Sequence, residues 1–331
     1  MTEKVSHNSG RERVYLLVSA ITIAVVFLLI LVGGVVRSSG AGMGCPDWPK
    51  CFDQWVPPTD VSELPANYQE IYAQRGYADT SFNAVKTWTE YLNRLLGVLT
   101  GLFIIANLVT AWRAYAGKNK KVVRLSVAAL VAVIIQGGVG AFVVFTHLHQ
   151  GIITIHLLIA LLIVCLLIAA RLYSKPVSFG ESLAVLVKTR WQTLAVLGLL
   201  LAQIIMGTQV REMLDTVSAS MGGDDKRAWL RALGTVYSIH KSFWMVVTVG
   251  VVYLTYVLQR DFESKSLKNY GIFALLLTGM QVFTGVALNQ FGLPAVPQAL
   301  HIVFSSMAFA VLFALLLQLG RGLRQANLTQ V

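Results

Sequence analysis

Charged residues are scarce in this chain. Only 13% of its 331 residues are Asp, Glu, Lys or Arg, whereas 56% are hydrophobic, and this balance excludes a soluble globular domain. Uncharged runs able to cross a hydrocarbon core of about 30 Å recur along the sequence. Because a membrane-spanning backbone must satisfy its own hydrogen bonds, these runs predict an all-α integral membrane protein. The eight predicted transmembrane helices are Val14–Val36, Leu95–Trp112, Leu125–Phe145, Gly151–Ala170, Trp191–Val210, Ser242–Leu258, Asn269–Gln290 and Gln298–Gly320.

Acidic residues are the scarcer charge type, with 16 Asp and Glu against 27 Lys and Arg, for a net charge of +11. Most of the basic residues lie in the N-terminus, in the loops near 113–124, 171–190 and 259–268, and in the C-terminal tail. An excess of Lys and Arg marks cytoplasmic loops, so both termini are predicted to be cytoplasmic. The basicity therefore indicates orientation in the membrane and not a nucleic-acid partner.

Two targeting signals are missing near the N-terminus. No small-residue cleavage site follows the first apolar run, which argues against a removed signal peptide. The preceding tail contains Glu3 and Glu12, whereas transit peptides are poor in acids. We therefore predict a multi-pass protein of a bacterial plasma membrane, in contact with lipid.

Cysteine is rare as well, with three residues in the whole chain. Cys45 and Cys51 lie close together in the longest outer loop, which faces the oxidising side, so a disulfide is predicted there. A pair of free thiols is the alternative. A zinc site is not expected there, because the chain offers only two thiols in this loop and the helix histidines are needed elsewhere. Cys165 lies among Leu, Ile and Val in the middle of a span and is interpreted as a packing residue.

An internal repeat divides the chain into two halves. The segment Gln136–His156 carries Gln, Gly and His at the same spacing as the segment Gln281–His301. Such self-similarity predicts two pseudo-repeated four-helix bundles, residues 1–174 and 175–331. Two further matches extend the repeat, Gly33-x-x-Val36-Arg37 with Gly207-x-x-Val210-Arg211, and Asn93-Arg94 with His240-Lys241.

Histidines at helix starts suggest a cofactor. His240 and His301 begin two helices of the C-terminal half, where they are expected to face each other across an apolar bundle. Two facing imidazoles suit the axial ligation of a haem, whereas zinc prefers four protein ligands and copper prefers added sulfur. In the N-terminal half His156 is present, but Asn93 occupies the position that corresponds to His240. The first half therefore predicts a haem site with a more open iron, and the second a six-coordinate electron-transfer haem.

A carboxylate lies beside the N-terminal site. Glu90 and Asn93 share one helix face, and Arg94 follows Glu90 at i+4. An acid at a membrane helix mouth is expected to face the bundle interior, although an ion pair with Arg94 that caps the helix is the alternative. The remaining basic residues near the outer mouths are predicted to bind haem propionates, to form ion pairs or to reach lipid headgroups: Arg37, Arg94, Arg211 and Lys241.

Three motifs together resemble the haem A synthase family, the membrane enzymes that oxidise haem O to haem A. They are Gly-Gly-Val-Val-Arg37, the Cys45–Cys51 loop with its Cys-Pro-Asp-Trp-Pro sequence, and Glu90-Tyr-Leu-Asn-Arg94, and the helix-start histidines accompany them. The resemblance covers nearly the whole chain. It departs from the family at Asn93, where a second histidine is usual, and this chain also lacks a second cysteine pair found in some members.

The resemblance implies an oxidoreductase that converts the C8 methyl group of haem O to a formyl group. It implies that haem b is bound through His240 and His301, that His156 binds the iron of the substrate haem O, with Asn93 in the same pocket, and that Glu90 is the catalytic carboxylate. It also implies the Cys45–Cys51 disulfide. A farnesyltransferase that makes haem O is the expected upstream partner, and an unidentified acceptor takes the electrons.

Two other functions are compatible with the sequence. A membrane cytochrome b that only transfers electrons fits the same histidines, with Asn93 marking a half that has lost its function. A transporter fits the repeat architecture, but no charged residue lies in the middle of a predicted span to couple an ion gradient. Transport is therefore the weakest of the three interpretations.

Overall fold

The computed structural model describes residues 10–78, 80–146, 148–177, 181–222 and 225–329. Within these ranges the regular elements are all helical. Eight helices are long and apolar enough to cross a membrane, which confirms the predicted all-α membrane architecture. We number them α1 (Gly10–Ser38), α2 (Ala84–Tyr115), α3 (Lys120–Phe145), α4 (Gln150–Tyr173), α5 (Leu183–Met221), α6 (Thr235–Asp261), α7 (Lys265–Gln290) and α8 (Ala295–Thr329).

Polar side chains fix where several of these helices begin. Asn83 accepts a hydrogen bond from the backbone N–H of Lys86 at the start of α2, and Ser264 accepts one from Leu267 at the start of α7. Such caps satisfy backbone donors that have no partner within the helix. The helix starts are therefore set by local sequence, while the apolar runs that follow are set by the membrane.

Helix α5 is longer than its apolar run. The prediction ended the span at Val210, but the helix continues to Met221. Charged residues follow Val210, and two of them, Arg211 and Asp215, form an ion pair one helical turn apart. Such i,i+4 pairs support helix continuation outside a hydrocarbon core, so α5 projects beyond its apolar run.

The helices form two rings of four with the same order of neighbours. In the N-terminal half α1 packs on α2, α2 on α3, α3 on α4 and α4 on α1, and the C-terminal half repeats this order with α5 to α8. The halves meet where α8 contacts α1 and α4, and where α4 contacts α5. Each half has its own apolar core, and Ala310 of α8 contributes to the core of the first half. This arrangement agrees with the repeat in the sequence.

The outer loop between α1 and α2 folds into a small aromatic cluster. The ring of Phe52 is the centre, with edge-on neighbours at centroid distances of 5.3 to 6.5 Å. The Tyr77 hydroxyl donates to the carbonyl of Met43 at 2.8 Å, and burial raises the pKa of this hydroxyl, which keeps it protonated as a donor. The other rings around Phe52 are those of Tyr68, Tyr72, Tyr77 and Phe82.

The start of α2 holds this loop in place. The Thr87 hydroxyl donates to the carbonyl of Gly44 at 2.8 Å. A Cβ atom at Gly44 would collide with the backbone of Lys86, so only glycine permits this approach. The disulfide between Cys45 and Cys51 closes the loop at the same place, and both cysteines are fully buried. The outer loop is therefore a folded cap fixed to one end of the N-terminal half.

Candidate functional site

A glycine packs against a polar side chain in each of the four helix hairpins. At three of these positions a Cβ atom on the glycine would lie 3.2 or 3.3 Å from the Cε1 atom of an imidazole, and at the fourth it would lie 3.9 Å from an amide oxygen. The lack of a Cβ therefore lets each of these side chains lie directly against the neighbouring helix. The four pairs are Gly33 with Asn93, Gly140 with His156, Gly207 with His240, and Gly285 with His301.

In the C-terminal half the structure brings the two predicted ligands together. The ring centroids of His240 and His301 are 6.5 Å apart, and the ring planes are inclined by 74°. Imidazole nitrogens bind metals at about 2.0–2.1 Å, so an ion between two imidazoles separates their ring centres by about 6 Å. Both rings lie on helices of an apolar bundle and rest on Gly207 and Gly285. These residues therefore fit the axial ligation of a haem iron.

Three glutamines, each one turn before the glycine, hold the histidine segments. The side-chain amide of Gln136 donates to the backbone carbonyl of His156 at 2.9 Å, and that of Gln203 donates to the carbonyl of His240 at 3.0 Å. Gln281 differs, because its Nε2 atom lies 2.8 Å from the ring Nε2 of His301. Each glutamine thus links the first helix of a hairpin to the histidine on the second.

The N-terminal half has a different donor set. His156 rests on Gly140, as the histidines of the other half rest on their glycines, but Asn93 occupies the place on Gly33. The Oδ1 atom of Asn93 is buried and has no hydrogen-bond partner in the part of the chain that the structure describes. An amide is a poor ligand for iron, so the corresponding site here offers one imidazole and one unsatisfied oxygen acceptor.

Glu90 is buried, with 4% of its surface exposed, and it contacts the outer loop. Its Oε2 atom accepts a hydrogen bond from the backbone N–H of Cys45 at 2.9 Å. Its Oε1 atom accepts from Arg94 and forms an ion pair with that guanidinium. Arg94 also donates to the loop carbonyls of Asp47 at 2.6 Å and Lys50 at 3.0 Å. The Glu90–Arg94 pair therefore fixes the disulfide loop over the outer end of α2.

Arg37 and Arg211, which correspond in the repeat, share one acid. Both form ion pairs with Asp215, Arg37 from the other half of the protein and Arg211 from the same helix at 2.9 Å. Arg211 also donates to the side-chain oxygen of Gln298 at 2.5 Å. The Nε atoms of both arginines are buried and have no partner among the described residues. Two N–H groups at the boundary between the halves are thus free to bind an anionic group.

Lys241, the last of the four predicted basic residues, is not part of these ion pairs. Lys241 is exposed, and its ammonium group lies 5.8 Å from the ring centre of Tyr237. Its counterpart in the repeat, Arg94, is instead engaged with the disulfide loop. The structure therefore separates two residues that the sequence treats as equivalent.

Two residues of this region were not predicted. Asp215 lies four positions after Arg211, a spacing that allows an ion pair on a helix, but the helix was predicted to end at Val210. Thr284 lies three positions after Gln281 on α7, and its Oγ1 atom is 3.0 Å from the Nδ1 of His301. Threonines are common in membrane helices, so the sequence alone did not single out this one.

Comparison of the sequence with known proteins identifies a family and several relatives. Residues 16–313 match the family COX15-CtaA, described as cytochrome oxidase assembly protein. A Heme A synthase of Shewanella oneidensis is 29% identical over 192 residues, which cover 56% of this chain and 54% of that protein. One of Geobacillus kaustophilus is 30% identical over 145 residues, covering 44% and 38%. One of Bartonella bacilliformis is 25% identical over 318 residues, covering 86% of each chain. The match thus spans about half, or less, of the first two relatives.

Proposed function

Because the chain belongs to the COX15-CtaA family of cytochrome oxidase assembly proteins, we propose that it is a haem A synthase, an oxidoreductase that converts haem O to haem A. The names of its relatives support this activity. The proposed reaction oxidises the C8 methyl group of haem O to a formyl group, and the product serves terminal oxidases. The rest of the proposal assigns parts of this reaction to the two halves.

The C-terminal half is proposed to bind haem b through His240 and His301. The observation that carries this assignment is the 6.5 Å separation of the two imidazole rings. When bound, a haem with two axial imidazoles supplies one-electron transfer between two oxidation states of its iron. The role of the protein is to hold both rings in place, which Gly207 and Gly285 permit by leaving room for them.

The N-terminal half is proposed to bind the substrate haem O. His156 is the iron ligand, and Asn93 lies in the same pocket without serving as a ligand. A single protein ligand leaves a more open iron than the paired imidazoles of the other half. The two halves would therefore differ in function, with the substrate in the first and electron transfer in the second.

Glu90 is proposed to be the catalytic carboxylate, as general base or as the group that stabilises positive charge at the methyl carbon. Arg94 and the backbone N–H of Cys45 hold its two oxygens in fixed positions. A carboxylate held in this way is oriented before substrate binds, which favours electrostatic stabilisation. Arg37 and Arg211 supply unpartnered N–H groups that suit the propionates of a haem.

The proposed setting is a bacterial plasma membrane with both termini in the cytoplasm. A membrane farnesyltransferase would deliver haem O, and an unidentified acceptor would remove the electrons. These assignments rest on the family and on the distribution of Lys and Arg, since the eight spans fix only that the protein crosses a membrane repeatedly.

Haem extraction and chromatography of the purified protein test the proposal. The protein is produced with and without co-expression of an enzyme that makes haem O, and a pyridine haemochrome spectrum accompanies each sample. We expect haem b in both samples, and haem O together with haem A only after co-expression. Haem b without haem A in the co-expressed sample would contradict the synthase activity, and a protein without any haem would also contradict the assignment of His240 and His301.

One observation favours a second function, that of a membrane cytochrome b that only transfers electrons. Both carboxylate oxygens of Glu90 are engaged in fixing the outer loop, as expected of a structural residue. In that case the N-terminal half would oxidise nothing, and the co-expressed sample would contain haem b alone. The same extraction therefore separates the two functions.

A further inference from the structure

The three helix-start histidines differ in how their rings are held. The Nδ1 atoms of His156 and His240 are buried and have no hydrogen-bond partner within the described ranges. His301, in contrast, has a partner at each ring nitrogen, Gln281 at Nε2 and Thr284 at Nδ1. Only one of the two proposed haem b ligands is thus fixed by side chains.

These contacts determine which ring nitrogen of His301 carries the proton. Gln281 presents its amide nitrogen, which can only donate, to Nε2 at 2.8 Å. Nε2 must therefore accept, and the proton of the neutral ring lies on Nδ1. The Nδ1–H group of His301 then donates to the Oγ1 atom of Thr284, which lies 3.0 Å from Nδ1.

The Thr284 hydroxyl is able to accept this bond because its own proton is used elsewhere. Its Oγ1 atom lies 3.0 Å from the backbone carbonyls of both Met280 and Gln281, either of which accepts the hydroxyl proton. The side chain is buried, with 4% of its surface exposed, so water does not compete for the contact. Thr284 is thus a fixed acceptor directed at the Nδ1 of His301.

We infer that Thr284 is a positioning residue that fixes the tautomer and orientation of His301 as a haem ligand. The inference rests on the haem b site of the proposed function. The lone pair of Nε2 that accepts from Gln281 is the one that an imidazole offers to a metal, so a bound iron would replace Gln281 at Nε2 while Thr284 stays at Nδ1. Accepting the other ring proton orients the ring and raises its basicity as a ligand. His301 is then the stronger and more rigid ligand, and His240 the more adjustable one.

Replacement of Thr284 tests this role through the reduction potential of the bound haem b in the purified full-length protein. Loss of the acceptor in T284V weakens electron donation by His301, which destabilises ferric relative to ferrous iron. We expect a shift of about tenfold in that equilibrium, which raises the one-electron potential by about 59 mV. T284S keeps a hydroxyl and is expected to restore the wild-type potential.

Thr278 provides the matched control on the same helix. It is also buried, and among the described residues its hydroxyl donates only to the backbone carbonyl of Ala274, at 2.8 Å. T278V is expected to leave the potential unchanged. Equal shifts in T284V and T278V, or no shift in T284V, would overturn the inference.

A second measurement applies if T284V does not retain haem. Nitrogen-15 NMR of the haem-free wild-type protein with labelled histidine reports which ring nitrogen is protonated, and H301N assigns the signal. Protonation at Nδ1 supports the inference, and protonation at Nε2 contradicts it. A wild-type protein that binds no haem b would refute the proposed site, whereas a wild-type protein with haem b and an unaffected T284V refutes only the role of Thr284.

Discussion

At the scale of single residues, Glu90 has an observed role in the fold and a proposed role in catalysis, and a substitution can separate the two. Its oxygens bind the backbone N–H of Cys45 and the guanidinium of Arg94. A glutamine at this position keeps an oxygen acceptor for the loop and removes the negative charge. Comparing the wild-type protein with Glu90→Gln therefore distinguishes a carboxylate needed for chemistry from a side chain needed for the fold.

We predict that Glu90→Gln lowers the rate of haem A formation by at least about a hundredfold, the lower end of the contribution of a general base. Haem b content should be unchanged, because the proposed haem b ligands lie in the other half. Extraction of haem A and haem b from the same sample measures the ratio of haem A to haem b. Glu70→Gln, at an exposed position of the outer loop, is the control. Wild-type haem A levels in Glu90→Gln would favour the electron-transfer function.

At the scale of helices, the same contact between a glycine and an imidazole occurs in three of the four hairpins. A Cβ atom at Gly285 would lie 3.2 Å from the Cε1 of His301, whereas one at Gly279 on the same helix would meet no atom of the described residues within 4 Å. The two glycines therefore form a matched pair. The same chemical change, one added methyl group, is directed at a ligand in one case and at open space in the other.

We predict that Gly285→Ala reduces bound haem b at least about tenfold, since displacing a ligand ring costs metal affinity on the scale of lost supporting contacts. Gly279→Ala should retain haem b and raise stability by up to about 1 kcal/mol, because alanine favours helix. The haem-to-protein ratio and the thermal unfolding midpoint measure the two effects. Equal haem content in both variants would show that His301 tolerates the added methyl group.

Sequence patterns predicted the helices and the pair of facing histidines, but not the contacts of the long loop. The apolar runs and the repeat predicted the eight helices, because burial in lipid demands long uncharged segments and the same spacing recurs in both halves. The approach of His240 to His301 was also anticipated from their places at helix starts. The contact of Glu90 with Cys45 was not anticipated, since it depends on the fold of a long loop that periodicity does not describe.

At the scale of the whole molecule, the two halves are joined by polar contacts near the C-terminal part of α5. Asp215 pairs with Arg37 across the boundary and with Arg211 on its own helix. The Thr154 hydroxyl of α4 donates to Glu212 of α5 at 2.9 Å. These contacts were missed because α5 was predicted to end before them. They place charged groups at the boundary between the two halves.

We predict that Asp215→Asn lowers the free energy of unfolding by about 1 kcal/mol, because it removes the charge shared by two arginines at a partly exposed site. The effect should weaken at high salt, since exposed charges are screened. Thermal unfolding in detergent at two salt concentrations measures it. Asp53→Asn, which removes an acid paired with Lys50 at the exposed tip of the outer loop, is expected to have no measurable effect. An equal loss in both variants would argue against a link between the halves.

The four glycine contacts also bear on how such a chain changes over evolutionary time. Each polar side chain rests on its own glycine, so the hairpin, and not the half, is the smallest recurring unit. A ligand in one hairpin is then replaceable without repacking the other three. Asn93 occupies, in the first hairpin, the place that histidine occupies in the other three. A chain with histidine at all four of these positions would thus differ from this one there by a single substitution.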